Sequence, residues 1–147
     1  MGRNKDGYFI RVHAKSLKKA KQKLKELTSR SQGRNVRVVM HNVRVYMTGW
    51  LAYFGIAEMK STMRDWNGWL RRRFRMYIWK QWKKPKTRVQ NLIKLGMEPW
   101  KAYRNGNSRK GYWAIAGSGI LTHTITDERL AQAGYFDILA KYESLHI

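Results

Sequence analysis

The chain has 147 residues, of which 31 are Lys or Arg and 9 are Asp or Glu, so its formal net charge is +22. The absence of Cys excludes disulfides and thiolate metal sites, and the four His residues lack the spacing of metal ligands. An apolar share of 43% is sufficient for a folded core. The excess of positive charge favours a polyanionic partner, and nucleic acid is favoured over a membrane surface.

The N-terminal segment predicts a turn followed by a β-strand. Asp6 and Gly7 suit a tight hairpin, and the side chains at positions 8, 10 and 12 share one face of an extended segment. A single strand is not stable in water, and its partner would precede Lys5. We therefore expect residues 1–14 to be a strand or hairpin remnant of something larger, and residues 15–147 to form a helical domain.

Two helices are predicted next. Apolar residues at positions 17, 20, 24 and 27 predict a helix from an N-cap at Ser16 to about Ser29. Its remaining faces are rich in lysine, which is typical both of a solvated surface and of a phosphate-binding one. The second helix is predicted at residues 36–54, because apolar residues repeat every three or four positions and Gly55 follows as a C-terminal signal.

The longest helix is predicted at residues 61–83. Its apolar stripe at positions 63, 66, 70, 74 and 77 indicates a buried face, and an arginine run lies on another face. No Asp or Glu occurs between positions 66 and 97, although exposed helices usually carry both signs. The sequence therefore predicts that Arg71, Arg72 and Arg75 are free for phosphate, whereas Arg73 buries its stem nearer the packed face.

Shorter elements are predicted in the rest of the chain. Pro85 ends the third helix, and short helices are expected at residues 87–95 and 99–103. A turn at residues 105–108 follows, and the small residues at 114–119 predict a loop. Further helices, predicted near residues 127–133 and 136–142, complete a mainly α fold of three longer helices plus short C-terminal ones.

Charge divides the chain unevenly. Residues 1–113 contain 29 Lys or Arg against 5 Asp or Glu, whereas residues 114–147 contain 2 against 4. The polyanion-binding face is therefore expected in the first part.

The few Asp residues stand far apart, so no carboxylate cluster for two-metal catalysis is predicted, and we expect neither an enzyme nor a cofactor. No apolar run approaches a membrane span, which together with the absence of a signal segment favours a cytoplasmic protein.

Three motifs resemble those of group II intron-encoded reverse transcriptases, also called maturases. Residues 49–54 (GWLAYF) resemble the family's GW-x-x-YF signature. Residues 69–75 (WLRRRFR) are similar to its arginine run, which residues 79–83 continue. Residues 106–113 (GNSRKGYW) resemble its NSRKGYW element. The motifs occur in the family's order, and the similarity covers about residues 7–142.

The resemblance implies a thumb, or maturase-specific domain. Such a domain is a helical bundle that binds group II intron RNA to assist splicing and clamps the template–primer duplex in the complete enzyme. Residues 8–13 would then be the end of the palm. The finger and palm motifs do not occur in this sequence, so RNA-directed DNA polymerase activity would require those domains as partners. By resemblance, the location is bacterial or organellar.

The candidate RNA-binding residues lie on the first helix, the third helix, the basic track after it and the turn before position 113. They are Lys18, Lys21, Lys25, Arg64, Arg71, Arg72, Arg75, Lys80, Lys83, Lys84, Lys86, Arg88, Arg109, Lys110 and Tyr112. The cations and rings of that turn suit single-stranded or distorted RNA; the alternative is a loop pinned by its own aromatic residues.

Two further questions are left open by the sequence. Helical spacing favours core positions for Trp50, Tyr53, Phe54, Trp66 and Trp69 over base stacking, whereas Trp79 and Trp82 fit either role. The alternative function is a generic helical nucleic-acid-binding protein, for DNA or other RNA, without intron specificity. A DNA-binding regulator is disfavoured because no recognition-helix pattern stands out.

Overall fold

The structure, a computed structural model, describes residues 11–146, and these contain nine helices and no β-strand. The helices are α1 (Ala14–Leu27), α2 (Val36–Phe54), α3 (Lys60–Gln81), α4 (Pro85–Lys94), α5 (Pro99–Gly106), α6 (Tyr112–Ala116), α7 (Gly119–Thr124), α8 (Asp127–Ala133) and α9 (Ile138–Ser144). The mainly helical prediction is confirmed. The strand predicted at residues 8–13 lies largely outside the described residues, and residues 11–13 are not in a strand.

Most helix boundaries follow from local sequence, with two corrections. The N-cap of α1 is His13 rather than Ser16, because the His13 side chain accepts a hydrogen bond of 3.1 Å from the Lys15 backbone N–H. The loop predicted at residues 114–119 is wrong, since α6 and α7 occupy most of it. Ile115 and Leu121 are both fully buried there, so short helices form around two core side chains.

Helix α3 is the centre of the fold. It packs against α2, α6 and α9, and at roughly 1.5 Å per residue it is long enough to contact all three along its length. Its buried side chains include Leu70, Phe74, Tyr77 and Trp79. These positions do not share one narrow stripe, because neighbouring helices cover α3 on more than one side.

The C-terminal helices are tied to the middle of the chain by buried tyrosines. The Tyr142 hydroxyl donates to the Ala57 carbonyl at 2.7 Å and accepts from the Met59 N–H at 3.0 Å. The Tyr135 hydroxyl bonds to Asn67 on α3. Because both hydroxyls are satisfied inside the fold, the acidic C-terminal part is a fixed element of the core rather than an appendage.

The packing of α4 against α5 yields a stability prediction. A Cβ added at Gly106 would lie 2.5 Å from Val89 Cγ2 and 3.1 Å from the Val89 nitrogen. We expect Gly106→Ala to lower the free energy of unfolding by about 1–3 kcal/mol through this overlap. Gly68→Ala on α3 is the control, since nothing lies within 4 Å of the added carbon, and it should raise stability by about 0.5–1 kcal/mol. Urea unfolding measures the free energy of unfolding of both variants. A Gly106→Ala protein as stable as the original chain would contradict the packing argument.

Candidate nucleic-acid interface

A basic groove lies between α1 and α3. It has a volume of about 470 Å³ and is lined by Lys18, Lys21, Gln22, Lys25, Trp69, Arg73 and Trp113. None of the described residues that line it is acidic. The groove thus combines four cations and two indole rings in one concave surface.

The periodicity of α1 explains why its lysines line the groove. Residues three, four and seven apart share one face of an α-helix, so Lys18, Lys21 and Lys25 form one row. Ala20 and Leu24, which are fully buried, lie on the face that packs onto the core. The apolar stripe therefore orients α1, and this orientation places the lysine row beside α3.

Arg73 connects the two helices that form the groove. Its Nε donates to the Thr28 hydroxyl at 3.0 Å and its Nη2 donates to the Lys25 carbonyl at 2.9 Å. The guanidinium thereby satisfies acceptors at the C-terminus of α1, where a positive charge is favourable. Partial burial, and to a lesser extent the nearby charge of Arg30, lower the pKa of Arg73.

A second, smaller pocket continues the groove. It has a volume of about 320 Å³ and shares Arg73 and Trp113 with the first pocket, while Ser29, Arg30, Ser31 and Met76 complete its lining. The described lining residues again include no carboxylate. The basic surface therefore extends past the C-terminus of α1, to Arg30.

The aromatic rings of the groove are covered by cations. Lys21 Nζ lies 5.0 Å and the Arg73 guanidinium carbon 5.6 Å from the centroid of Trp69. The Arg72 guanidinium carbon lies 3.9 Å from the centroid of Trp113, whose ring is 36% exposed. These cation–π contacts hold charges at the groove surface.

The structure corrects the argument that Arg71 and Arg75 have no acidic partner. Arg75 donates to Asp127 at 2.7 Å and to the Ile125 carbonyl at 2.6 Å, and it is buried. Arg71 lies 3.6 Å from Asp127 and 3.4 Å from Asp137. Both carboxylates are far away in sequence, so the acid-free stretch around α3 did not reveal them. These two guanidinium groups therefore have partners inside the fold.

Two other predicted contacts are also engaged internally. Arg72 donates to the Trp113 carbonyl through Nε at 3.1 Å and Nη2 at 2.7 Å, and thereby fixes one wall of the groove. Arg88 is buried; its Nε donates to the Trp79 carbonyl at 3.2 Å and its guanidinium stacks on Trp79 at 4.7 Å. Trp79 is thus a core residue, whereas Trp82, for which the sequence left the same question open, is half-buried.

The remaining predicted residues do not line the groove. Arg64, Lys83, Lys84, Lys86 and Arg109 are exposed, and Lys80 is half-buried. Lys110 lines a separate pocket beside α5. Tyr112 is half-buried between Arg30 at 4.7 Å and Arg88 at 5.5 Å. Contact of each of these residues with RNA stays a prediction.

Several groove residues were not among the candidates from sequence. Trp69 was expected in the core but is half-buried with Lys21 over its ring. Arg73 and Trp113 lie within two of the motifs but were not among the candidates, and Arg30 had no signal beyond its residue type. Trp50 and Trp66 are buried as expected, whereas Tyr53 is 79% exposed, which contradicts its expected core position. Helical spacing alone had assigned Tyr53 to the buried face of α2.

Other kinds of site are not found in the described part of the chain. Residues 11–146 contain no group of three or more His, Asp or Glu side chains arranged to hold a metal ion. No helix within the same residues is long and apolar enough to cross a membrane.

Comparison with known families relates the chain to one of them over more than half of its length. The family model described as "Group II intron, maturase-specific domain" matches residues 17–96. This range includes most of α1 and all of α2 to α4, and with them the first two motifs, whereas the motif at residues 106–113 lies outside it. No curated protein matches the chain.

Proposed function

Since the chain belongs to the group II intron maturase-specific domain family, we propose that it binds group II intron RNA through the groove between α1 and α3 and thereby assists splicing. The observation that carries the proposal is the lining of this groove. Lys18, Lys21, Lys25 and Arg73 converge there beside two tryptophans, without an acidic residue among the described lining.

Phosphate binding follows from this arrangement. A chain with a formal charge of +22 repels itself, and RNA relieves that repulsion while its condensed counterions are released. Lys21 and Lys25 supply charges at the groove, and Arg73 supplies a charge fixed by its hydrogen bonds to α1. Contacts of this kind position RNA but do not read its sequence.

Selectivity for intron RNA then comes from shape. An A-form helix presents its phosphates and 2′-hydroxyls at spacings that a rigid groove can match, and folded RNA adds bends that an unrelated duplex lacks. In this proposal the protein stabilises the active fold of the intron, and no protein side chain takes part in bond cleavage. In a complete reverse transcriptase, the same groove would hold the template–primer duplex beside the palm.

The proposal is tested by equilibrium binding of the full chain to a folded group II intron RNA and to an unrelated structured RNA of equal length. We expect the intron RNA to bind at least about tenfold more tightly, a difference of about 1.4 kcal/mol. The affinity for both should fall steeply with salt. Equal affinities would reduce the function to generic cation binding.

The generic alternative, a nucleic-acid-binding protein without intron specificity, is tested by competition in the same assay. Duplex DNA of equal length is added to the preformed complex with intron RNA. The A-form shape argument predicts that DNA displaces the RNA poorly. Displacement at equal concentrations of phosphate would favour the generic function.

A further inference from the structure

Helix α5 carries an exposed aromatic and basic surface that is separate from the groove. Trp100 is 59% exposed and Tyr103 is 62% exposed, and they lie three residues apart on one side of the helix. Beside them is a pocket of about 440 Å³, lined by Trp100, Lys101, Arg104, Asn105, Ser108, Lys110 and Ile120. It shares no lining residue with the groove between α1 and α3.

Trp100 stays exposed although its polar edge and one cation contact are already in place. Its Nε1–H donates to the carboxylate of Glu98 at 2.7 Å, so the polar edge of the indole already has a partner within the fold. Lys101 Nζ lies 5.4 Å from the ring centroid. What the ring still offers to a ligand is an apolar face next to a positive charge, which matches a base and its phosphate.

The charges of this surface point to an anionic ligand. Lys101, Arg104 and Lys110 line the pocket, and no salt bridge joins any of them to the described residues. Glu98 is the adjacent carboxylate, and its Oε2 accepts the Trp100 N–H. Three cations face only one carboxylate, which is already engaged. This charge balance favours a polyanion as ligand over a protein surface with few acidic residues.

We propose that the α5 surface binds unpaired nucleotides of the RNA, with bases stacked on Trp100 and Tyr103 and phosphates near Lys101, Arg104 and Lys110. Paired bases in a duplex do not expose their faces for such stacking, whereas single-stranded segments do. The proposal deepens the proposed function, on which it rests for RNA as the partner, by adding a second site for single strands.

One RNA can reach both sites. Lys110 lines the α5 pocket and Trp113 lines the groove, and three residues of chain span at most about 11 Å between Cα atoms. That distance is comparable to the length of a few nucleotides of backbone. A helix seated in the groove can therefore extend its single-stranded end over the connecting segment onto α5.

The experiment compares a blunt RNA hairpin with the same hairpin carrying a short single-stranded extension. The full chain should bind the extended hairpin more tightly. Trp100→Ala and Tyr103→Ala should each reduce that gain by about tenfold, the scale of one stacked base, and leave the blunt hairpin unaffected. Tyr53→Ala, which removes a tyrosine of α2 that is even more exposed than Tyr103, is the matched control and should change neither affinity.

The outcomes separate this proposal from the proposed function. An extension that adds no affinity, or variants that weaken both hairpins equally, would overturn the α5 site while the groove stands. If neither hairpin binds, the proposed function fails, and binding of the single-stranded oligonucleotide alone decides the α5 site. If the oligonucleotide binds, and Tyr103→Ala weakens this binding whereas Tyr53→Ala does not, the α5 site is supported. If the oligonucleotide does not bind, the α5 site is overturned.

Discussion

Replacing Asp127 by alanine is expected to lower the free energy of unfolding by about 3 kcal/mol, the low end of the cost of leaving a buried charge without its partner. The charge left behind is that of Arg75, whose side chain is only 7% exposed. The carboxylate of Asp127 is itself half-exposed, and water entering on its side keeps the cost at that low end. For a domain of this size the melting temperature should fall by about 6–12 °C.

The loss is concentrated at Arg75 because the neighbouring arginine retains a partner. Arg71 contacts both Asp127 and Asp137, so in the variant it still pairs with Asp137. Arg75 retains its hydrogen bond to the Ile125 carbonyl but loses its ion pair. The replaced side chain therefore affects the attachment of α8 to α3 more than the arginine run as a whole.

The matched control is Glu128→Ala. Asp127 and Glu128 are consecutive acidic residues in the first turn of α8, so each variant removes one charge that favours the helix N-terminus. No salt bridge to Glu128 is found among the described residues. Glu128→Ala should therefore cost well under 1 kcal/mol in thermal or urea unfolding. Equal losses for the two variants would show that the helix terminus, rather than the buried pair, is responsible.

The double variant Lys21→Ala with Lys25→Ala is expected to weaken RNA binding by about 30-fold at 0.15 M salt, if each lysine neutralises one phosphate. Both lysines line the groove. Two lost contacts should also reduce the slope of log affinity against log salt by about 1.8 for a duplex. A salt titration of hairpin binding measures both quantities at once.

A control with the same chemistry is available on α1 itself. Lys19 and Lys23 have the same spacing as Lys21 and Lys25, and both are exposed, but neither lines the groove. Lys19→Ala with Lys23→Ala removes the same charge from the same helix and should leave the slope nearly unchanged. If both double variants lower the slope equally, RNA binds the charge of α1 as a whole and not the groove.

Local periodicity was enough to predict most of the helices. The bounds of α2 and α8 agree with the predicted ones, because a stripe of apolar residues and a terminal signal lie within each segment. The segment at residues 114–119 was mispredicted as a loop, since its small residues suggest a turn when read alone. Ile115 within this segment is fully buried in the core, which the local sequence does not show.

The candidate site was predictable in part, for a similar reason. The lysine row of α1 follows from helical geometry within fourteen residues, so Lys18, Lys21 and Lys25 were found. The indoles that complete the groove come from α3 and α6, and nothing within either segment shows that Trp69 and Trp113 face the same cavity. Whether the two indoles line one cavity depends on how α3 and α6 pack.

By itself, the sequence determined that the protein is mainly helical, that its positive charge lies in residues 1–113, and which family its motifs resemble. Only the tertiary structure decided which cations remain available. Arg71 and Arg75 are neutralised by Asp127 and Asp137, residues more than fifty positions away, whereas the lysines of α1 are left at an acid-free groove. Net charge is a sum over all residues and can be read from the sequence. Ion pairing requires that two charged groups lie within a few ångströms of each other, and only folding sets those distances.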